Sequence, residues 1–100
     1  MRYNVILTVA AERDLEGIFY YVTDTLSEPQ IAKKLLANLR RGVESLSEMP
    51  ERHAVVSKSK NVRRLMVHGY AIFYRIDRAQ EKVLIVRILQ GRRQWQDYIE

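Results

Sequence analysis

Six arginines in the second half of this 100-residue chain, Arg63, Arg64, Arg75, Arg87, Arg92 and Arg93, are the residues whose type and spacing best suit chemistry. A guanidinium is a planar fork of donors that engages phosphate or carboxylate through paired hydrogen bonds. A group of them therefore suits a nucleic-acid backbone or an acidic peptide. Tyr70, Tyr74, Trp95 and Tyr98 are interleaved with them and offer flat surfaces on which bases stack. Arg87 is the sharpest case. It interrupts the apolar run Val83-Leu84-Ile85-Val86-Arg87-Ile88-Leu89, where an unpaired buried charge costs on the order of several kcal/mol. It must find an acid or reach the surface, and both a structural salt bridge and a contact with a partner satisfy that demand.

Other chemistry is thinly supplied. There is no cysteine, so a disulfide framework and a thiolate metal site are excluded, and two histidines, His53 and His68, do not by themselves make a zinc site. No glycine-rich phosphate loop, carboxylate cluster or nucleophile elbow appears. No metal and no cofactor are expected. His68 falls in a turn and His53 in a polar loop, where an ordinary solvated or packed histidine is the plainer reading than an acid–base catalyst. Tyr20, Tyr21, Phe73 and Tyr74 lie where the apolar periodicity already needs packing residues.

The charge is divided unevenly. Residues 1–51 hold six Lys/Arg and eight Asp/Glu, a net −2, whereas residues 52–100 hold eleven and four, a net +7. A field of that kind favours an acidic partner, with a solvated basic face as the plain alternative. No apolar run approaches the roughly 20 residues of a membrane span. The start Met1-Arg2-Tyr3-Asn4 also lacks the basic-then-apolar layout of a signal peptide, so a cytoplasmic location and no membrane partner are expected.

One domain, residues 1–100, has to position these side chains, because the chain is too short to bury two useful cores. Residues 3–8 read as a strand, and Thr8 as the cap of a helix whose stripe is Leu15, Ile18, Phe19, Val22 and Leu26. Ser27-Glu28-Pro29-Gln30 reads as a capping box that starts a second helix, with a stripe of Ile31, Leu35, Leu39, Val43 and Leu46 running to about Glu48. The short connection folds the two helices into an antiparallel hairpin. A polar loop over residues 51–61 precedes three strands at 62–67, 70–76 and 82–89, with His68-Gly69 as a tight turn and residues 77–81 as a longer one. The expected fold is α+β: an N-terminal strand and a helical hairpin packed on a mostly antiparallel four-stranded sheet. Residues 91–99 follow as a short helix or an extended tail.

Three stretches then resemble the ParE/RelE superfamily of type II toxins. They are residues 8–18, with Thr8-Val9-Ala10-Ala11-Glu12-Arg13-Asp14-Leu15 at their start, the helix end Leu46-Ser47-Glu48-Met49-Pro50-Glu51, and residues 64–76, which include Gly69-Tyr70-Ala71-Ile72-Phe73-Tyr74-Arg75, followed by Val86-Arg87-Ile88-Leu89-Gln90-Gly91-Arg92-Arg93. The resemblance implies a toxin of a plasmid-stabilising toxin–antitoxin system, neutralised by a cognate antitoxin whose acidic or amphipathic segment folds onto it. It implies one of two targets. ParE-like members bind DNA gyrase, and the last pair of runs is theirs. RelE-like members are ribosome-dependent mRNA endonucleases, and Arg64, Arg93 and Tyr98 are the catalytic candidates on that branch. Ala71 stands where the nuclease pattern has arginine, and Val62-Arg63-Arg64 where it has lysine-x-lysine. Gyrase is therefore the favoured partner and ribosome-bound mRNA the alternative; a degenerate module that only binds antitoxin is the third reading. For target or antitoxin contact the expected residues are Arg63, Arg64, Arg75, Arg87, Arg92, Arg93 and Trp95.

Overall fold

Strand β4 (Tyr70–Asp77) is apolar on both of its faces, and that property organises the molecule. Tyr70, Ile72, Tyr74 and Ile76 point to one side, Ala71 and Phe73 to the other, so both sides of the sheet need a cover. In the computed structural model, which describes residues 2–99, β4 lies in the middle of a five-stranded sheet of order β1-β5-β4-β3-β2. Its neighbours β3 (Val62–Val67) and β5 (Lys82–Gln90) run antiparallel to it. At one edge β1 (Asn4–Leu7) pairs parallel with β5, and at the other β2 (Val55–Ser57) pairs antiparallel with β3.

The sheet thus has five strands rather than the four expected; it is mostly antiparallel, as expected, with β1–β5 the parallel pair. The added strand β2 has three residues and a register shift between Val55 and Ser57. So short and irregular a strand leaves no alternation to read, and it hides within the segment expected as a polar loop. The turn at His68-Gly69 forms as expected, with φ of 49° and 83° at its two central residues, the mirror-image geometry that matches strand twist.

The first cover is the helical hairpin. Thr8 caps α1 (Val9–Tyr20), its Oγ1 accepting from the Ala11 amide at 3.2 Å. Residues Tyr21–Thr25 continue as one π-helical turn, and α2 (Pro29–Ser45) folds the chain back. Ala11 and Leu15 from α1 and Leu39, Val43 and Leu46 from the second helical segment bury against Ile72, Tyr74, Val83, Ile85 and Ile88. The capping box does not form. Ser27 takes a left-handed φ of 54° to leave the π turn, Glu28 occupies the cap position, and no side chain caps α2. The stripe also outruns the sheet at the hairpin tip, where Leu26 and Ile31 remain 54% and 55% exposed.

The second cover is the C-terminal segment. Trp95 and Ile99, the latter ending α3 (Gln96–Ile99), pack over Val62, Ala71, Phe73 and Leu89. Gly91 makes the return possible: its amide donates to Gly69 O at 2.8 Å, and an added Cβ would lie 2.9 Å from that same oxygen.

Candidate functional site at the open end of strand β5

Strand β1 ends at Leu7, where the chain turns into α1, so the outer edge of β5 has no strand partner from Val86 onward. Side chains from the start of α1 take its place. The Thr8 hydroxyl donates to Ile85 O at 2.8 Å, and the Ile88 amide donates to Asp14 Oδ2 at 2.9 Å. A bulge in β5 sets the direction of Arg87. Phe73 opposes Arg87 while Tyr74 opposes Ile85, leaving Val86 as the extra residue, and such a bulge re-aims the side chain beside it.

Arg87 thereby reaches Asp14. Its Nε and Nη2 donate to the two carboxylate oxygens at 2.8 Å each, a bidentate fork between side chains that are 24% and 13% exposed. The hydrogen bonds to Asp14 are the largest influence on the guanidinium and raise its pKa further, outweighing the opposing effect of burial. The conflict posed by a charge within an apolar strand is resolved by a salt bridge across 73 residues of sequence.

Around this pair the C-terminal segment gathers three more of the expected residues. The Tyr98 ring is within cation–π reach of two guanidiniums, with the guanidinium carbon of Arg87 at 5.1 Å from its centroid and that of Arg93 at 5.3 Å. Trp95 is half-buried with its ring 5.6 Å from that of Phe73. Arg64 opposes Phe73 from the far side, which places Arg64, Phe73 and Arg87 in one row across three strands. With neighbouring strands about 4.8 Å apart, the two arginine backbones are roughly 10 Å from each other. Arg75 is exposed two residues along β4 from Phe73, on the same face. Arg92 is exposed.

Arg63 does not join them. It sits one residue out of phase with Arg64, and its Nη1 donates to Glu51 O at 2.9 Å and His53 O at 2.7 Å, tying the loop before β2 to the sheet. Of the nuclease candidates, Arg93 and Tyr98 meet, while Arg64 lies beyond the Phe73–Trp95 stack. Ala71 is 2% exposed within the apolar cluster under Trp95 and Ile99.

Sequence reading alone did not single out Asp14, Arg13 or Tyr21 as parts of the site. Asp14 looks like one of several acids that complement the start of a helix, and nothing local tells that it serves a strand 73 residues later. Tyr21 and Tyr70 approach one another in space; burial first, and then Tyr21, push the Tyr70 phenol above its ordinary range. No group of acids and histidines able to hold a metal ion occurs among the described residues.

Residues 5–95 match the family described as the ParE toxin of type II toxin-antitoxin system, parDE. Among solved structures, the chain is similar to the chromosomal ParDE toxin–antitoxin system from P. aeruginosa, with a TM-score of 0.77 and 21% identity over 89% of this chain and 96% of that one. It is similar to the toxin–antitoxin complex RelBE2 from Mycobacterium tuberculosis, at 0.66 and 25% identity, covering 90% of this chain and 99% of that one. A double arginine-to-alanine mutant of the E. coli toxin RelE in the free state shares the fold at 0.72 and 10% identity, covering 99% and 94%. No curated protein matches the chain.

Proposed function

Because the chain belongs to the ParE toxin family of type II toxin–antitoxin systems, we propose that it arrests growth by binding DNA gyrase and not by cutting nucleic acid. A toxin of this family has a cognate antitoxin, which restrains it. The observation that carries the gyrase reading is the state of Ala71. The nuclease pattern has an arginine there, yet this position is 2% exposed and packed among Val62, Phe73, Leu89, Trp95 and Ile99. A charge at the centre of that cluster has no acid to pair with and no water. The second observation is that Arg87 is engaged by Asp14, which turns it from a mobile cation into a strut. On this reading Arg64, Arg75, Arg92 and Arg93 form the contact surface. None of them has an acidic partner among the described residues. Arg87 and Trp95 hold that surface in place, and Arg63 braces the loop behind it.

A second reading is supported by the contact between Arg93 and Tyr98. In a RelE-like endonuclease acting on ribosome-bound mRNA, a 2′-hydroxyl attacks the neighbouring phosphate, and Arg64 and Arg93 stabilise the charge that builds on it while Tyr98 orients the strand. Controlled expression separates the possibilities. Gyrase binding predicts that DNA synthesis stops first while translation continues, and early loss of translation with cleaved message would instead assign the nuclease. Normal growth with retained antitoxin binding would leave the antitoxin-binding module as the surviving account.

A further inference from the structure

Beside the Asp14–Arg87 pair, α1 and the open edge of β5 enclose a groove of about 360 Å3, a volume within the range of small-molecule sites. Its floor is Ile18 and Ile88, on the sheet face that the hairpin covers. Leu89 turns its side chain to the opposite face, under Trp95 and Ile99, and so borders the groove through its main chain. Two tyrosines stand at one end: Tyr21 is 52% exposed, and Tyr70 is half-buried on β4 across from Gln90. At the other end are Arg13, next to Asp14, and Arg93, whose guanidinium shares the Tyr98 ring with Arg87. Both are exposed, and neither has an acidic partner among the described residues. Asp14, the carboxylate in the lining, is neutralised by Arg87. Arg13, Gly17 and Tyr21 follow one another at four-residue steps along α1 and into its π-helical continuation, so the arginine and tyrosine ends lie roughly 12 Å apart. Midway, a Cβ added to Gly17 would meet nothing within 4 Å, which leaves the middle of the groove open.

The strand edge adds a donor and an acceptor. The Gly91 amide donates to Gly69 O, and the Ile88 amide donates outward to Asp14, so the pleat turns Gln90 as well toward the open edge of β5. The Gln90 carbonyl accepts from the Arg93 amide, which leaves the Gln90 N–H and the Ile88 carbonyl side by side, beside Tyr70.

We propose that this groove binds an adenine nucleotide, with the base against Tyr70 and Tyr21, the ribose over Gly17 and the phosphate between Arg13 and Arg93. Each end selects its part of the ligand. Tyrosine rings accept the flat face of a base, and two guanidiniums free of acids accept phosphate oxygens through paired hydrogen bonds. The Ile88 carbonyl and the Gln90 N–H then match the exocyclic amine and the neighbouring ring nitrogen on one edge of adenine. A base that lacks the amine leaves the carbonyl unmatched. The distance between the two ends suits one nucleotide, whereas a strand would need a cationic track continuing past it. The site goes beyond the gyrase reading and does not depend on it, because neither Ala71 nor the Arg64–Arg75 surface takes part.

The test is isothermal titration calorimetry of AMP into the full chain. Saturable binding of one AMP per chain is expected, weakened at least tenfold in the Arg13→Gln/Arg93→Gln double variant and at least tenfold in Gly17→Leu. The latter fills the middle of the groove without touching a charge, and its melting temperature is expected to rise because glycine is a poor helix former. Lost binding by a more stable protein is not a folding defect. Inosine monophosphate, which carries a carbonyl in place of the amine, is expected to bind at least fivefold more weakly than AMP, and ribose 5-phosphate more weakly still. The proposal is overturned if the parent protein shows no saturable binding up to about 1 mM AMP, or if either variant binds AMP unchanged. Inosine monophosphate or ribose 5-phosphate binding as tightly as AMP would overturn the placement of the base. An adenine dodecanucleotide binding more than tenfold tighter than AMP would show a strand site and overturn the single-nucleotide assignment.

Discussion

Replacing Asp14 by alanine withdraws the acceptors of three hydrogen bonds at once, two from Arg87 at 2.8 Å and one from the Ile88 amide at 2.9 Å. The orphaned amide lies at the edge of β5, with Ile88 itself 1% exposed, and a buried donor without an acceptor costs about 1–3 kcal/mol. Breaking a fully buried ion pair costs about 3–5 kcal/mol. The Arg87 side chain is 24% exposed and keeps its contact with Tyr98, so water recovers part of that loss and about 1–2 kcal/mol is the fair share. The sum is about 3 kcal/mol, which for a domain of this size lowers the melting temperature by roughly 12–24 °C. Equilibrium unfolding in urea measures it directly, with Arg87→Met and the double variant completing a cycle. Arg87→Met alone should cost less than Asp14→Ala, since Asp14 still serves the Ile88 amide. The double variant should fall short of the sum by about 1–2 kcal/mol, because removing both charges leaves none stranded. A loss below about 1 kcal/mol for Asp14→Ala, or strict additivity, would refute the assignment of this pair as the strut of the site.

Three further outcomes follow from the same structure. Burial pushes the Tyr74 phenol up to about 12 from 10.0, so its contribution to stability is full below pH 10 and is lost as pH rises through 12. Tyr74→Phe should flatten that alkaline limb, and it should cost about 1–3 kcal/mol at neutral pH because Pro50 O loses its donor. Burial, and then Arg52 and Arg63, hold His53 below its ordinary 6.5. The unfolded chain therefore takes up this proton first: the contribution is full above pH 6.5 and declines as pH falls below it. Chemical denaturation of His53→Gln should show a shallower acid limb. Ala71→Arg should destabilise by about 3 kcal/mol or more by forcing a charge into the Trp95 cluster, and circular dichroism melts should register it; a melt within 2 °C of the parent would show that the cluster opens at little cost.

Strands β3 to β5 were legible from their length and their β-branched and aromatic residues, and the stripes of the helices from their period, because each of these signals is carried by one chain segment. Arg87 was legible as a problem, since a charge in an apolar strand demands a partner, but the partner was not, because Asp14 is fixed by tertiary geometry. The false capping box has a similar origin. Ser27 and Gln30 have the right spacing, but the π turn ending at Thr25 makes Ser27 adopt φ 54° and moves the cap to Glu28. One further signal was present in the residues. A continuous apolar run at Tyr70-Ala71-Ile72-Phe73-Tyr74 demands a cover on both faces, and Trp95 and Ile99 supply the second. The convergence of Arg93, Tyr98 and Arg87 depends on that cover folding back, which the short segment after Gly91 does not announce.

The most direct test of the central claim is inhibition of DNA supercoiling by gyrase in vitro, titrated with the purified chain. The account predicts saturable inhibition, with ribosome-bound mRNA remaining intact when the same protein is added to a translation mixture. Full supercoiling activity in the presence of excess protein that is folded by circular dichroism would contradict it.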